Sequence, residues 1–221
     1  GVASILARVV RRRPRIHCLT NTVAQNVTAN MLLAFGAVPS MASHPAEIES
    51  FAAGASAILI NLGTISSEAE RAIPELIAVA RERRIPLVLD PVFVEHSPLR
   101  LRLVGDVLAS FEVVVRGNAT EMATLEPLFS LRPDTVRVTT GAVDRIETEE
   151  RALSVAHGHE WMTMVTGLGC ASSALVAACR AVEPDPVIAA GAALTAYGIA
   201  GEIAAERSAG PGSFAMHLID A

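Results

Sequence analysis

Charged residues are scarce in this chain of 221 amino acids: they make up 19% of it, whereas hydrophobic residues make up 51%. So apolar a composition exceeds what the core of an ordinary globular domain requires, and part of the outer surface is expected to be buried against a partner. No break in composition divides the chain. We therefore predict one domain over residues 1–221 that assembles into a homo-oligomer.

Cysteine is scarce as well. The three cysteines, Cys18, Cys170 and Cys179, are too few for a disulfide framework, which predicts reduced thiols and a cytoplasmic location. The net charge of −5 gives no electrostatic reason to expect a nucleic acid or membrane partner, and the RRRPR cluster at 11–15 is interpreted as a solvated loop. The N-terminal sequence shows no secretory signal, and the longest uncharged windows carry too many polar residues to predict a transmembrane helix.

Three short apolar runs are rich in β-branched residues and end in turn signals, at 57–64, 85–92 and 111–118. Each is predicted to be a buried strand of a parallel sheet. Residues 66–84 lie between the first two and have serine at the cap, acid in the first turn and base in the last, which predicts a helix. Strands that alternate with helices favour an α/β layered fold.

Two later segments extend this pattern. Residues 135–147 predict a further strand that ends in a turn, and the Ala-rich segment 186–205 predicts a buried helix. Polar residues follow four of the strands, at 61–64, 90–91, 116–121 and 140–144. Ligands bind outside the carboxyl ends of such strands, so these four segments are expected to form one shared site.

The segment VTGLGC, at 165–170, places two glycines just before an apolar stretch that is predicted to be a helix. Gly167 and Gly169 are interpreted either as a phosphate cradle, where backbone N–H groups approach an anion at a helix N-terminus, or as simple turn residues. Arg116 can pair with phosphate, or form an ion pair with Glu121. Cys170 is either a small buried hydrophobe or a functional thiol.

The carboxylates at the strand ends have two interpretations. Asp90 and Glu121 are hard oxygen ligands that suit Mg²⁺, directly or through waters, but acidic residues at such positions also cap helices. Asn21 offers an amide that can orient a small ligand or cap a helix.

Taken together, several segments in order resemble the hydroxyethylthiazole kinase family of the ribokinase-like superfamily. They are HCLTNTVAQNVTANMLLAFGAVPSMASHPAE, LINLGT, LDPV, VVVRGNATE, TTGAVD, VTGLGC and GPGSFAMHLIDA. The resemblance implies a three-layer α/β sandwich with a mostly parallel central sheet between helices. It also implies ATP-dependent phosphorylation of the hydroxyethyl group of 4-methyl-5-(2-hydroxyethyl)thiazole in thiamine salvage, with Mg²⁺, by a homotrimer with sites at subunit interfaces.

The resemblance also implies roles for individual residues. Substrate-binding positions are Asn21, Met41 and Gly167, and positions that face the nucleotide phosphates are Arg116, Thr140, Gly167 and Gly169. Asp90 and Glu121 match the acidic residues around Mg²⁺. Cys170 falls where most ribokinase-like kinases carry an aspartate base, so it is the expected catalytic residue.

The chain departs from the family pattern at three places. Residues 93–100 read FVEHSPLR where the family has glycine-rich sequence, residues 122–138 are expected to be too short for the family's helix and loop, and Leu168 replaces a smaller residue. Two other functions therefore remain open: a related kinase of another small heterocyclic alcohol, and a catalytically impaired protein that binds ATP or thiazole. A cysteine hydrolase built on Cys170 has no supporting motif.

Overall fold

The computed structural model describes residues 1–109, 112–129, 132 and 134–221. Among them, eight strands form one sheet. They are β1 (Arg15–Leu19), β2 (Val38–Ser40), β3 (Ala57–Asn61), β4 (Leu87–Asp90), β5 (Val113–Asn118), β6 (Val136–Thr140), β7 (Asp144–Glu147) and β8 (Ala152–Val155). Their order across the sheet is β2-β1-β3-β4-β5-β6-β7-β8.

The first six strands of the sheet are parallel, and β7 and β8 extend its edge antiparallel. The parallel part places the carboxyl ends of β1 to β6 along one edge. Residues 135–147, predicted as one strand and a turn, form β6 and β7 joined by a tight connection.

Helices cover both faces of the sheet. They are α1 (Val2–Arg12), α2 (Gln25–Ala34), α3 (Pro45–Ala53), α4 (Ser67–Arg83), α5 (Pro98–Leu108), α6 (Ala119–Phe129), α7 (Leu168–Arg180), α8 (Pro186–Glu206) and α9 (Pro211–Asp220). Neighbouring side chains of β3 separate the faces: Leu59 belongs to a cluster with α1, α2, α7, α8 and α9, whereas Ile58 and Ile60 pack with α3, α4, α5 and α6. The predicted three-layer α/β sandwich is confirmed.

Local signals explain where several elements begin. Ser66 caps α4 by accepting a hydrogen bond from the Ala69 N–H at 3.1 Å, as the sequence predicted. The strand predicted over 111–118 is β5; its first residue, Phe111, lies outside the described residues. The RRRPR cluster is exposed except for Pro14, but Arg11 and Arg12 belong to the last turn of α1 rather than to a loop.

Residues 122–138 are expected to be too short for the family's helix and loop, and the structure places there the larger part of one helix, α6, and a short connection. Helix α6 spans Ala119–Phe129, and only residues 130–135 separate it from β6. The sequence ATEMATLEPLF keeps Met122, Leu125 and Phe129 buried against the sheet, and this spacing places them on one helical face.

Helix α8 is the Ala-rich helix that the sequence predicted to be buried. By length and composition it could cross a membrane, but 61% of its apolar window is buried inside the protein. Its glycines allow close packing: a Cβ at Gly198 would lie 2.5 Å from the His157 carbonyl oxygen. These contacts are those of a core helix.

Candidate active site

The four polar segments predicted to share one site do lie along one edge of the sheet. They follow β3, β4, β5 and β6, which are adjacent and parallel. Asn61 and Asp90 are direct neighbours in the β3–β4 register, and Asn118 and Thr140 are neighbours in the β5–β6 register. The parallel topology therefore brings these segments together, as the sequence indicated.

Asn21 lies between the end of β1 and helix α2, and only 8% of it is exposed. Its Oδ1 accepts a hydrogen bond from the Ala24 N–H at 3.0 Å. Its Nδ2 donates to Asn61 Oδ1 at 3.0 Å and to the Cys170 sulfur at 3.7 Å. Asn21 therefore stabilises the turn before α2 and reaches the thiol, and its role in orienting a ligand stays a prediction.

Asp90 ends β4 with 2% of the residue exposed, and its Oδ2 accepts a hydrogen bond from Ser173 Oγ at 2.9 Å. Burial raises the pKa of Asp90, while the Arg116 charge and the Ser173 hydroxyl lower it. The carboxylate does not cap a helix through these contacts. It is instead a buried acid that the sheet holds against α7.

Glu121 forms a capping box with Asn118 at the start of α6. Asn118 Oδ1 accepts the N–H groups of Thr120 and Glu121, and Glu121 Oε2 accepts the Asn118 N–H at 2.8 Å. The other carboxylate oxygen, Oε1, accepts the Phe93 N–H at 2.8 Å. Among the described residues Glu121 forms no ion pair with Arg116, so the capping interpretation holds and its role toward Mg²⁺ stays a prediction.

Gly167 and Gly169 form the turn into α7. Gly167 is the N-cap, with φ of 84°, and a Cβ there would lie 2.8 Å from Val27 Cγ1. No described side chain caps the helix, so the N–H groups that follow that of Leu168 in the first turn are available to an anion. A Cβ at Gly169 would lie 3.2 Å from Arg116 Nη1, which places a guanidinium against the first turn. The geometry suits a phosphate cradle.

Arg116 provides positive charge at this edge in a chain whose 18 basic residues are all arginines. Its Nε is buried and has no hydrogen-bond partner among the described residues. The charge of Arg116 lowers the pKa of Asp90 and of Cys170, after larger effects that raise both. An anion bound at the α7 N-terminus would therefore be close to a guanidinium with unused donor capacity.

Cys170 lies in the first turn of α7 and is partly buried. Burial raises the pKa of its thiol and the Asp90 charge raises it further, while Asn61, Asn21 and Arg116 oppose the rise. No histidine contributes to this shift, so the structure offers no support for a cysteine hydrolase. Cys18 and Cys179 are fully buried free thiols in the hydrophobic cluster that contains Leu59.

Met41 and Thr140 lie at the same sheet edge but make less specific contacts. Met41 directly follows β2, the strand that pairs with β1. It is partly buried against the hydrophobic cluster that contains Leu59. Thr140 ends β6, and its Oγ1 donates to the Gly117 carbonyl at 3.2 Å. Their positions agree with the predicted roles, and those roles stay predictions.

The unusual FVEHSPLR segment begins in a strained turn. Val92 and Phe93 both have positive φ, at 31° and 53°, and 59% of Phe93 is exposed. Two contacts hold the turn: Arg100 donates to the Val92 carbonyl, and Glu121 accepts the Phe93 N–H. The turn therefore has the positive φ angles that favour glycine, although neither residue is glycine.

Three residues to which the sequence analysis gave no individual role complete the site. Ser173 binds Asp90, Asn61 binds Asn21, and the Tyr197 hydroxyl donates to the Leu168 carbonyl at 3.0 Å beneath the α7 turn. Asn61 ends a predicted strand next to other polar residues, and this position could have indicated a role in the site. Ser173 and Tyr197 lie within apolar helical sequence, where nothing in the sequence indicates such a role.

Comparison with known proteins gives matches over nearly the whole chain. A probable hydroxyethylthiazole kinase from Agrobacterium fabrum is 43% identical over 99% of this chain and 87% of its own. The hydroxyethylthiazole kinase of Granulibacter bethesdensis is 41% identical over 98% of this chain and 87% of its own. The alignment to the first spans 219 positions and that to the second 239, so the Granulibacter protein has residues that this chain of 221 lacks.

Solved structures agree. The hydroxyethylthiazole kinase of Pyrococcus horikoshii superposes with a TM-score of 0.90 at 37% identity, covering 99% of this chain and 91% of its own. A ribokinase-like superfamily protein from Enterococcus faecalis, 12% identical, shares the fold with a TM-score of 0.66 over 98% of this chain and 92% of its own. The model of the hydroxyethylthiazole kinase family matches residues 6–130 and 128–221. The chain belongs to the hydroxyethylthiazole kinase family.

Proposed function

We propose that this chain transfers a phosphoryl group from ATP to the hydroxyethyl group of 4-methyl-5-(2-hydroxyethyl)thiazole, in thiamine salvage. The observation that carries the proposal is the position of Cys170. It lies in the first turn of α7 beside Asn21, at the sheet edge where Asp90 and Arg116 also lie. Phosphoryl transfer requires the acceptor hydroxyl and the transferred phosphate to lie next to each other, and this edge of the sheet is where they would meet.

Positioning and charge neutralisation do most of the work in phosphoryl transfer. The α7 N-terminus and Arg116 would hold the phosphates, with Gly167 and Gly169 giving the backbone close approach. Asn21 and Met41 would orient the thiazole alcohol, and Thr140 would face the nucleotide. Because its pKa is raised, Cys170 is mostly protonated near neutral pH, and only the minor thiolate form would accept the proton of the attacking hydroxyl.

Mg²⁺ would supply charge neutralisation for the phosphates of ATP. The residues present fit a water-mediated role better than a protein cage. Among the described residues no group of three His, Cys, Asp or Glu side chains converges. Mg²⁺ commonly keeps several waters and takes one or two carboxylates with substrate phosphates. Asp90 and Glu121 are carboxylates at this edge, and we assign them that role.

The assembly and location follow the same proposal. We infer that one kinase domain over residues 1–221 forms a homotrimer in the cytoplasm, with sites at the subunit interfaces. Large apolar side chains at the surface support a buried partner face: Val10 is 62% exposed, Leu33 53% and Met216 64%. Three free cysteines agree with a reducing compartment.

Coupled ADP release tests the function. Purified protein with Mg²⁺-ATP should release ADP only when the thiazole alcohol is added, and other heterocyclic alcohols should be poorer substrates. Faster turnover of another alcohol would favour a related kinase. Binding of ATP and the thiazole alcohol by calorimetry without turnover would make the chain a binding protein, which the altered 93–100 segment motivates.

A further inference from the structure

Asn61 is the last residue of β3 and lies at the centre of the site, with 3% of it exposed. Its Oδ1 accepts hydrogen bonds from Asn21 Nδ2 and from the Gly63 N–H, both at 3.0 Å. Because a backbone N–H can only donate, the atom that faces Gly63 must be the amide oxygen. The orientation of the Asn61 amide is therefore fixed.

A close approach of backbone supports this arrangement. A Cβ at Gly63 would lie 2.8 Å from Asn21 Nδ2 and 3.1 Å from Asn61 Oδ1, so the amide pair needs glycine at that position. Asn21 Nδ2 in turn reaches the Cys170 sulfur at 3.7 Å. Asn61 thus holds, through one hydrogen bond, the residue that contacts the proposed base.

The other end of the Asn61 amide is a buried donor. Its Nδ2 has no hydrogen-bond partner among the described residues, and leaving such a donor unpaired costs about 1–3 kcal/mol. Asn61 lies directly beside Asp90 in the β3–β4 register, and one hydrogen bond joins it to Asn21, whose amide reaches the Cys170 sulfur. Its Nδ2, which is shielded from solvent, is therefore a donor within this group of side chains.

We propose that Asn61 is a positioning residue for phosphoryl transfer: its Oδ1 fixes the Asn21 amide against Cys170, and its Nδ2 is kept as a donor toward Asp90 and Cys170. This role rests on the proposed kinase function. A preorganised donor beside groups that carry negative charge stabilises the reacting arrangement without reorganisation. A small displacement of Asn21 or Cys170 would be costly, because a misplacement of about 1 Å can reduce turnover about 10²-fold.

Two substitutions separate the two ends of the amide. Asn61→Leu keeps the approximate volume and removes both polar atoms, whereas Asn61→Asp keeps the acceptor for Asn21 and Gly63 and removes the donor. Asn61→Leu should lower kcat about 10- to 100-fold and raise KM for the thiazole alcohol, with KM for ATP unchanged. Asn61→Asp should lower kcat but leave KM for the thiazole alcohol near its original value.

A double-mutant cycle tests whether Asn61 acts through Asn21. The loss in kcat/KM on changing Asn61 to Leu should be several-fold smaller in an Asn21→Ala background than in the original protein. Thr28→Val is a control, because it removes another buried polar atom that has no partner among the described residues, at the end of the first turn of α2. Its kinetic constants should not change. Thermal melting and circular dichroism establish that each variant is folded.

Unchanged constants for folded Asn61→Leu, or losses that simply multiply with Asn21→Ala, would overturn the proposal. If Asn61→Leu does not fold, Asn61→Asp still tests the donor through kcat alone. If the original protein releases no ADP with the thiazole alcohol, the kinase function fails separately. Calorimetry then decides the positioning role: weaker thiazole-alcohol binding by Asn61→Leu than by Asn61→Asp supports it, and equal binding by both overturns it.

Discussion

Ser173 Oγ donates a hydrogen bond to Asp90 Oδ2 over 2.9 Å, and this bond joins helix α7 to the end of strand β4. Both residues are at least 98% buried. Ser173 follows Cys170 by about one helical turn, so the same helix that presents the thiol also fixes the acid. The spacing of the two proposed functional groups is therefore set by packing of α7 on the sheet.

The first prediction concerns the cost of burying Asp90. Because burial raises its pKa, its contribution to stability is present below the ordinary aspartate pKa and lost as pH rises through the raised pKa. Asp90→Asn carries no charge and should have a higher Tm than the original protein at pH 7. Its kcat should fall about 10²-fold, since charge stabilisation through a metal is worth several kcal/mol.

Thermal melts from pH 3 to pH 8 check the stability part, and the difference in Tm should shrink toward acid pH. Ser173→Ala is the control: it leaves the carboxylate in place without its donor and should lower the free energy of unfolding by about 1–3 kcal/mol. Normal turnover by Asp90→Asn would show that Mg²⁺ is supported elsewhere.

The second prediction concerns the strained turn after Asp90. Phe93→Gly should raise the free energy of unfolding by about 0.5–1 kcal/mol, because the left-handed conformation costs a residue with a Cβ about 1–2 kcal/mol and glycine's extra chain entropy offsets part of the gain. The ring is mostly exposed, so little packing is lost. Urea unfolding measures the change.

Phe93→Ala is the matched control for the turn. It removes the ring but keeps a Cβ in the left-handed conformation, so it should give no comparable gain. Equal stabilisation by alanine and glycine would mean that loss of the exposed ring, and not relief of backbone strain, is responsible.

The sequence predicted the sheet edge because its signals are local. Apolar runs followed by Asn61, Asp90, Arg116 and Thr140 indicated strands that end in polar groups, and parallel topology then gave one site. The Ser66 cap of α4 was equally visible, because the hydrogen bond spans three residues. Such features need no knowledge of tertiary contacts.

What the sequence could not show are partners brought together by packing. Ser173 lies 83 residues from Asp90 in an otherwise apolar helix, and by residue type it would be assigned to the core. The contact between Glu121 and the Phe93 N–H likewise depends on how the turn after β4 approaches α6. Helix α6 was not among the predicted elements, although Met122, Leu125 and Phe129 have helical spacing.

The third prediction concerns the thiazole side of the site. Met41→Asp should raise KM for the thiazole alcohol at least about tenfold, because loss of apolar contact with a ring is worth about 1–3 kcal/mol, while KM for ATP should change little. Met41→Leu is the control, because it keeps an apolar side chain of similar size and should leave both KM values near their original values. Equal effects of Met41→Asp on both KM values would indicate a purely structural methionine.

The fourth prediction concerns assembly. Light scattering should give a mass about three times the 23.1 kDa of the chain, because a closed cyclic oligomer would bury the exposed apolar side chains. The mass should persist at high salt, since burial of apolar surface is not screened by ions. A monomer at high protein concentration would contradict the trimer and the interface location of the sites.

The last prediction concerns the thiol. Burial and the Asp90 charge raise the pKa of Cys170, so the thiolate is a minor form near pH 7. An aspartate, with an ordinary pKa of about 3.9, would be ionised to a larger extent even after burial raised its value. Cys170→Asp should therefore keep or raise kcat. Cys170→Ala should lower kcat modestly, by at most about 10²-fold, the low end of general-base catalysis.

Turnover of the three proteins under saturating Mg²⁺-ATP measures this difference, with binding of the thiazole alcohol checked for each. Cys179→Ala is the matched control, because Cys179 is a fully buried thiol of the same helix that lies near its other end. Its kcat should equal that of the original protein. If Cys170→Ala also matches the original protein, the thiol is not a base, and transfer relies on the Asn21 amide, Arg116 and the α7 N-terminus alone. If Cys170→Ala binds normally but has no activity, the thiol contributes more than a mostly protonated base can, and its assigned role is wrong.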